Sequence, residues 1–142
     1  MKNNLGYACI NMTLSEQPKS KRITTNRSMI KRTFKARGLP YASELALQNA
    51  RDLNKIIQWN EENDIKFYRM SSDIFPWASE YEFEDLPDWD EIQEYLVNAG
   101  LLAKLYGQRI TTHPGPFNKL TSPREQVVLN TIKDLEIHAR IF

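Results

Sequence analysis

The sequence predicts an α/β fold, organised as part of an α/β barrel with about three βα units. Three short apolar segments alternate with three longer segments whose apolar residues recur every three to four positions. Strands that alternate with helices indicate a parallel sheet with right-handed crossovers. A complete eight-unit barrel needs at least about 200 residues. We therefore expect the 142 residues to be the N-terminal part of one larger barrel domain, truncated within its last helix.

The predicted elements follow from local signals. The strands are expected at residues 5–11, 65–70 and 109–112, and the main helices at residues 44–63, 89–106 and 123–142. Ser122 and Pro123 favour a helix start, and Gly107 favours a helix end. For the last helix the apolar spacing predicts a buried stripe of Val128, Ile132, Leu135, Ala139 and Phe142. Cys9, in the middle of the first strand, is expected to be a small core residue.

Residues 12–42 are expected to be a basic insertion in the first βα loop. Thr24–Arg27 looks like a turn or cap that opens a short helix at residues 28–37, and Gly38-Leu39-Pro40 should stop this helix. A loop of this length between a strand and its helix is more often functional than idle.

Composition excludes several classes of protein. The chain is 41% hydrophobic and 26% charged, and it has no apolar run long enough to span a membrane. The N-terminus lacks the apolar core of a secretory signal. The single cysteine excludes an internal disulfide and fits a reducing compartment. We therefore expect a cytoplasmic protein that does not interact with membranes.

Charge is distributed unevenly along the chain, although the net charge is only +1. No acidic residue lies between Gln17 and Ser43, and no basic residue lies between Glu80 and Glu91, which contains seven acidic residues. The basic block comprises Lys19, Lys21, Arg22, Arg27, Lys31, Arg32, Lys35 and Arg37. These cations could neutralise nucleic-acid phosphates. They could equally form a solvated surface or pair with the acidic block.

Polar residues follow the predicted strands, at the C-terminal strand ends where α/β proteins usually have their catalytic and ligand-binding residues. They are Asn11, Ser71, Ser72, Asp73, Glu80, Thr111, Thr112 and His113. One histidine with carboxylates can begin an oxygen and nitrogen site for manganese, magnesium or zinc. His113 could also be structural, and Asp73 could be a loop cap. We expect His138 to be a partly buried structural residue.

Five segments in the correct order resemble the UV damage endonuclease family. They are residues 5–11 (LGYACIN), 24–27 (TTNR), 59–63 (WNEEN), 67–76 (FYRMSSDIFP) and 113–115 (HPG). The resemblance implies a TIM-like barrel related to apurinic-site endonucleases and xylose-isomerase-like proteins. It also implies an enzyme that cuts the DNA backbone immediately 5′ of ultraviolet photoproducts, using divalent metal ions such as Mn²⁺. The implied partner is double-stranded DNA with UV lesions, bound by a full-length monomer associated with the nucleoid.

The resemblance also implies roles for individual residues near the strand ends. By position, His113 resembles a family metal ligand, Tyr7 a tyrosine at the damage site, and Asn11 a neighbouring catalytic asparagine. Glu80 takes a place where some members have a metal-binding histidine, so it could supply an oxygen ligand.

Two further positions resemble the residues that probe the lesion. Pro116 and Phe117 stand where the family often has glutamine followed by an aromatic residue, so the aromatic wedge is kept and the amide is absent. From the basic block, Arg27, Lys31 and Arg32 are expected to grip DNA phosphates.

Two alternatives stay open. A sugar isomerase or epimerase of the xylose-isomerase type would share the barrel and the metal, but the basic block disfavours it. A non-catalytic DNA-binding fragment is the other alternative. The residues present supply too few metal ligands for activity, so we expect the 142 residues alone to be inactive, and their unpaired sheet edges should make them poorly soluble.

Overall fold

A three-stranded parallel sheet organises the computed structural model, which describes residues 5–142. The strands are β1 (Gly6–Ala8), β2 (Phe67–Arg69) and β3 (Arg109–Thr111), in the order β1-β2-β3. The register aligns Gly6 with Phe67 and Arg109, Tyr7 with Tyr68 and Ile110, and Ala8 with Arg69 and Thr111. The predicted parallel α/β order is therefore confirmed. Residues Met1–Asn4, where we predicted no secretory signal, lie outside the described part of the chain.

The helices are α1 (Met12–Ser15), α2 (Lys31–Glu62), α3 (Trp89–Leu105) and α4 (Glu125–Ile141). Two short 3-10 helices, Ala78–Glu80 and Phe83–Asp85, lie between β2 and α3. The first strand is shorter than predicted, because Cys9 adopts φ 61° and turns the chain away from the sheet. Gly107 follows α3 with φ 63°, as its predicted role at a helix end requires.

The long helix α2 is kinked where the sequence predicted a stop. Gly38 has φ 64° and ψ −159°, which are not helical values, and Pro40 follows it. The predicted start near Ser28 is wrong, because residues 26–30 are not helical and α2 begins at Lys31. The Asn49 side chain accepts the N–H of Arg27 and donates to its carbonyl oxygen, both at 3.0 Å. These two bonds take the place of the backbone hydrogen bonds that Arg27 would make in a helix.

The core lies between the sheet, α2 and α3. The predicted stripe of α2 is confirmed as buried, and it includes Leu45, Ala46, Asn49, Leu53, Ile56, Ile57 and Asn60. Tyr68 is fully buried beneath these helices. From α3, Ile92, Ala99 and Ala103 are buried. Packed rings extend the core under the loop after β2, where Phe75 and Phe83 stack at a centroid distance of 4.3 Å.

The predicted stripe of α4 is wrong. Ile132 and Leu135 are exposed, whereas Thr131 and His138 are the buried residues of this helix. Both buried residues bond to their own helix. The Thr131 hydroxyl donates to the Val127 carbonyl at 2.8 Å, and His138 Nδ1 lies 2.7 Å from the Asp134 carbonyl oxygen. Local hydrogen bonds of this kind let polar side chains face inward.

The predicted start of α4 is also displaced. The helix begins at Glu125, two residues after Pro123, and the Ser122 hydroxyl accepts the Arg124 N–H at 3.2 Å before the helix begins. Among the residues described, no helix is long and apolar enough to cross a membrane.

Candidate functional site

The candidate site lies at the edge of the sheet where the strands end. Because the strands are parallel, their C-terminal ends share this edge, and the segments after β1 and β3 meet over the end of β2. The joining contact is between Cys9 Sγ and His113 Nε2, which are 3.8 Å apart. The Cys9 N–H also donates to the carbonyl oxygen of Arg69, the last residue of β2, at 2.7 Å.

His113 is half-exposed at this edge, as predicted. Its Nδ1 lies 3.1 Å from the Pro114 carbonyl oxygen, and a carbonyl can only accept, so we infer that Nδ1 carries the proton. Nε2 then keeps its lone pair, which is the donor that a cation would need. The role of His113 as a metal ligand stays a prediction.

Cys9 is not the core residue that the sequence predicted. The left-handed backbone at this position removes its side chain from the strand pattern, and the residue is half-buried. Its thiol contacts the imidazole of His113.

Tyr7 and Asn11 form a hydrogen-bonded network with α2. The Tyr7 hydroxyl donates to Asn60 Oδ1 at 2.7 Å and accepts from Asn11 Nδ2 at 2.9 Å. Asn11 Oδ1 accepts the backbone N–H of Leu14 at 3.0 Å, so Asn11 also caps α1. Asn11 is buried, and both the nitrogen and the oxygen of its side-chain amide make a hydrogen bond.

Burial raises the pKa of the Tyr7 hydroxyl above its ordinary value, and its hydrogen bonds with Asn11 and Asn60 offset part of this effect. The hydroxyl is therefore a neutral donor at physiological pH. The Tyr7 ring packs 5.0 Å from the ring of buried Tyr68, on the helix-covered side of the sheet. Neither the predicted lesion contact of Tyr7 nor the predicted catalytic role of Asn11 is tested by this geometry.

Glu80 ends the 3-10 helix Ala78–Glu80 and is exposed. Within residues 5–142, no group of three or more histidine, cysteine, aspartate or glutamate side chains is placed to hold a metal ion. His113 and Glu80 are therefore not joined in a metal cluster by the described residues, and their assignment as ligands stays a prediction.

Pro116 and Phe117 form the turn that follows His113, and both are exposed. The Phe117 side chain is 87% exposed, which is unusual for a large aromatic residue. An aromatic ring held in the open beside the strand ends is available for contact with a partner. The lesion-probing role of both residues stays a prediction.

Arg27 is the anchor of the basic block. Its guanidinium pairs with Asp52 at 2.6 Å and donates to the carbonyl oxygens of Thr24 and Arg22 at 2.6 and 2.7 Å. Asp52 is buried in α2 and also accepts the Thr24 N–H at 3.1 Å. Arg27 therefore ties the loop to α2, and its predicted contact with phosphate would compete with these bonds.

The other seven cations of the block are exposed. They are Lys19, Lys21, Arg22, Lys31, Arg32, Lys35 and Arg37. The acidic block does not neutralise them, because the ion pairs of Glu82, Glu84 and Glu91 are made with Arg140 and Arg51. A cavity of about 690 Å³, lined in part by Lys19 and Arg22, opens beside this loop.

Trp77 connects the basic block to the loop after β2. Its indole N–H donates to the Met29 carbonyl at 2.9 Å, its ring stacks on Phe34, and Lys31 Nζ lies 5.7 Å from its ring centroid. Its backbone has φ 60°, an uncommon value for a residue other than glycine. Sequence reasoning missed this junction, because the residues it joins are far apart in the chain.

The buried amides around Tyr7 were also missed as a network. Asn60 was placed correctly on the buried stripe of α2, and a polar residue on an apolar stripe is the signal that a partner exists. Gln108 completes the network: its Nε2 donates to the Ile57 carbonyl at 2.8 Å, and its Oε1 lies 3.5 Å from Asn60 Nδ2.

Comparison with known proteins gives consistent matches along this chain. The sequence profile of the family described as UV-endonuclease UvdE matches residues 3–142. The UV-damage endonuclease of Schizosaccharomyces pombe is 37% identical over 140 residues, which are 99% of this chain and 23% of that protein. The putative UV-damage endonuclease of Acanthamoeba polyphaga mimivirus is 39% identical over 141 residues, covering 96% of this chain and 41% of that protein.

A solved structure shows the same architecture. The crystal structure of SacUVDE matches with a TM-score of 0.81 and 27% identity, over 96% of this chain and 43% of that chain. The predicted α/β fold, three βα units of a TIM-like barrel, is therefore confirmed. The chain spans about a quarter to two fifths of the length of the curated relatives named here.

Proposed function

The chain belongs to the UV-endonuclease UvdE family, and we propose that it is part of a DNA-repair endonuclease. The proposed reaction is cleavage of the DNA backbone immediately 5′ of ultraviolet photoproducts, with a divalent cation such as Mn²⁺ as cofactor. The observation that carries the proposal is the match of residues 3–142 to this family. The relatives that share this segment are named UV-damage endonucleases.

The proposed role of the basic block is to bind DNA phosphates. Seven exposed cations without acidic partners in the block supply the sequence-independent attraction that DNA binding needs. Lys31 and Arg32, at the start of α2, would contact phosphates directly. Arg27 would hold the loop in place through Asp52.

The proposed role of Phe117 is to enter the base stack beside the lesion. An exposed aromatic ring can replace a base that has left the stack, because ring faces stack on neighbouring bases. Pro116 would restrict the backbone that presents this ring. Tyr7 would reach a lesion only if its hydrogen bonds to Asn11 and Asn60 opened.

A metal site is not complete within the described residues. A divalent cation takes several oxygen or nitrogen ligands, and residues 5–142 offer no group of three. His113 Nε2 is one suitable donor, and Glu80 is an accessible carboxylate. These residues alone do not fit a resident metal ion, so no step of the reaction is assigned to one.

A chimera tests the proposed reaction. Residues 3–142 would replace the matching segment of the mimivirus relative, and the chimera would be incubated with Mn²⁺ and ultraviolet-irradiated supercoiled plasmid. We expect nicking of irradiated plasmid over undamaged plasmid, and a loss of at least about tenfold in nicking for His113→Ala. The exposed surface change Lys104→Gln, on α3, is the control.

A chimera that melts cooperatively and binds DNA but does not nick irradiated plasmid would contradict the proposal. So would equal nicking of damaged and undamaged plasmid. If the chimera fails to fold, DNA binding by the 142-residue chain supplies the second measurement.

The DNA-binding measurement uses salt dependence. We expect log K for a short duplex to fall linearly with log salt, by about 0.9 for each phosphate neutralised. Arg32→Gln should reduce this slope by about one, whereas Lys104→Gln should leave it unchanged. Affinity that is independent of salt between about 50 and 200 mM would exclude the basic block as a DNA-binding surface.

A further inference from the structure

Two arginines lie on the face of the sheet that the helices leave open. Side chains alternate along a strand, and in β2 Tyr68 is buried against the helices while Arg69 is exposed on the opposite face. Arg109 in β3 is paired with Phe67 in the register and shares this open face. Arg109 therefore lies in a lower layer of open-face side chains, level with Phe67, and Arg69 lies in the next layer towards the C-terminal ends of the strands.

In the lower layer the exposed Arg109 has an aromatic partner. The Arg109 guanidinium lies 5.7 Å from the centroid of the Phe67 ring. Phe67 in turn covers Gly6, where an added Cβ would lie 2.5 Å from the Phe67 Cβ atom. Arg109 is thus engaged by an aromatic face at the N-terminal end of the strands, where residues of barrel proteins serve stability.

The upper layer is open around Arg69. Its neighbours in the register are Ala8 and Thr111, which are small side chains. Backbone bonds fix its position, since its carbonyl oxygen accepts the Cys9 N–H at 2.7 Å and the next residue, Met70, donates to Thr111 at 2.7 Å. Within residues 5–142, no carboxylate forms an ion pair with Arg69.

Arg69 also adjoins the candidate site. It ends β2 directly below the contact between Cys9 and His113, which bridges the segments after β1 and β3. A guanidinium stays charged at every physiological pH, and its planar array of donors matches two oxygens of one phosphate. An exposed cation on a hydrogen-bonded strand, without an ion pair among residues 5–142, is suited to an anionic group of a substrate.

We propose that Arg69 is a substrate-binding residue that contacts a DNA phosphate at the strand ends, beside His113. This inference rests on the proposed function, because it takes DNA as the ligand. It adds a residue from the barrel interior to a surface otherwise formed by the basic block. Arg109 faces the same interior and carries the same charge, so it is the matched control.

The test compares Arg69→Ala, Arg69→Lys and Arg109→Ala in the 142-residue chain by fluorescence anisotropy with a labelled short duplex. For Arg69→Ala we expect the salt slope to fall by about 0.9, with weaker binding at low salt. Arg69→Lys should retain the slope, because one charge remains, but bind less tightly, because the planar fork is lost. Arg109→Ala should retain both slope and affinity. Thermal unfolding followed by circular dichroism checks that each variant is folded, and Arg69→Gln replaces Arg69→Ala if the alanine variant is not.

The possible failures are distinguishable. Wild-type protein that shows no salt-dependent binding would overturn the proposed function and this inference together. Wild-type protein that binds DNA while Arg69→Ala behaves like Arg109→Ala would overturn the inference alone. An unchanged slope in Arg69→Ala with a lower unfolding temperature would assign Arg69 to structure.

Discussion

The two faces of the sheet handle polar groups in opposite ways. On the helix-covered face, the hydroxyl of Tyr7 and the amides of Asn11 and Asn60 satisfy one another. On the open face and at its upper edge, Arg69 is exposed without an ion pair in the described chain, and the half-exposed His113 has only the thiol of Cys9 as the side-chain partner of its Nε2. The hydrogen-bonded groups on the helix-covered face stabilise the fold, whereas the exposed groups on the open face and at its edge are available to a ligand.

This difference predicts how substitutions should behave. Changes on the helix-covered face should lower the free energy of unfolding, because they leave buried polar groups without hydrogen-bond partners. Changes to the exposed side chains of the open face should weaken binding and leave stability nearly unchanged, whereas Gly6, which is packed against Phe67, should behave as a structural position. The predictions below probe this division, from the largest expected effect to the smallest.

The largest effect should come from a position on the open face where packing is tight. A Cβ at Gly6 would lie 2.4 Å from the Phe67 carbonyl oxygen, so Gly6→Val should force β1 away from β2. We expect a loss of about 3 kcal/mol or more in urea unfolding. Gly100→Ala is the control, since no atom lies within 4 Å of its added Cβ and alanine favours a helix. Equal stability of Gly6→Val and wild type would mean that the strands are not paired as described.

A smaller loss is expected from the anchor of the basic block. Asp52→Ala removes the buried carboxylate that pairs with Arg27 and accepts the N–H of buried Thr24. We expect a loss of about 2–3 kcal/mol and faster proteolysis within the basic block.

The matched comparison for Asp52 is an exposed ion pair. Glu91→Gln removes the partner of Arg51, and both side chains are more than 40% exposed, so the loss should stay below about 1 kcal/mol. Similar losses from Asp52→Ala and Glu91→Gln would show that the buried Arg27–Asp52 pair stabilises the fold no more than an exposed ion pair does.

The smallest effect among the buried groups should come from the Tyr7 network. Tyr7→Phe keeps the ring but removes the hydroxyl that Asn11 and Asn60 share, so we expect a loss of about 1–2 kcal/mol in chemical unfolding. Burial raises the pKa of Tyr7, so the folded state holds this proton more tightly than the unfolded state. Its contribution to stability is complete below pH about 10 and is lost as pH rises through the folded pKa.

The same measurement in alkali separates Tyr7 from the other buried tyrosines. Burial also raises the pKa values of Tyr68 and Tyr81. The stability of Tyr7→Phe should therefore still fall above pH about 10, but less steeply than that of the wild type. An identical alkaline profile for wild type and Tyr7→Phe would contradict the raised pKa of Tyr7.

The sequence predicted the parallel strand order and the buried stripe of α2 well, because alternating strand and helix segments and helical spacing are local patterns. It failed on α4, where Thr131 and His138 bond to their own helix and so can face inward in place of apolar residues. It also failed on Cys9, whose left-handed backbone has no signature in the surrounding residues.

The candidate site was predictable only in part. His113 was placed correctly because parallel strands bring their ends to one edge. The open-face position of Arg69 needed the register of β2, and the internal pairing of Arg27 needed Asp52, which lies 25 residues further along the sequence. Such pairings are set by tertiary packing, which local sequence patterns do not report.

The most direct test of the account is to map where DNA touches the protein. Amide chemical shifts of the 142-residue chain would be followed by NMR during titration with a short duplex. We expect the largest changes at Arg69, His113, Phe117 and Arg32, and none along the exposed row Val97, Leu101 and Leu105 on α3. Changes confined to α3 and α4, with Arg69 and His113 unaffected, would contradict the assignment of the open face to DNA.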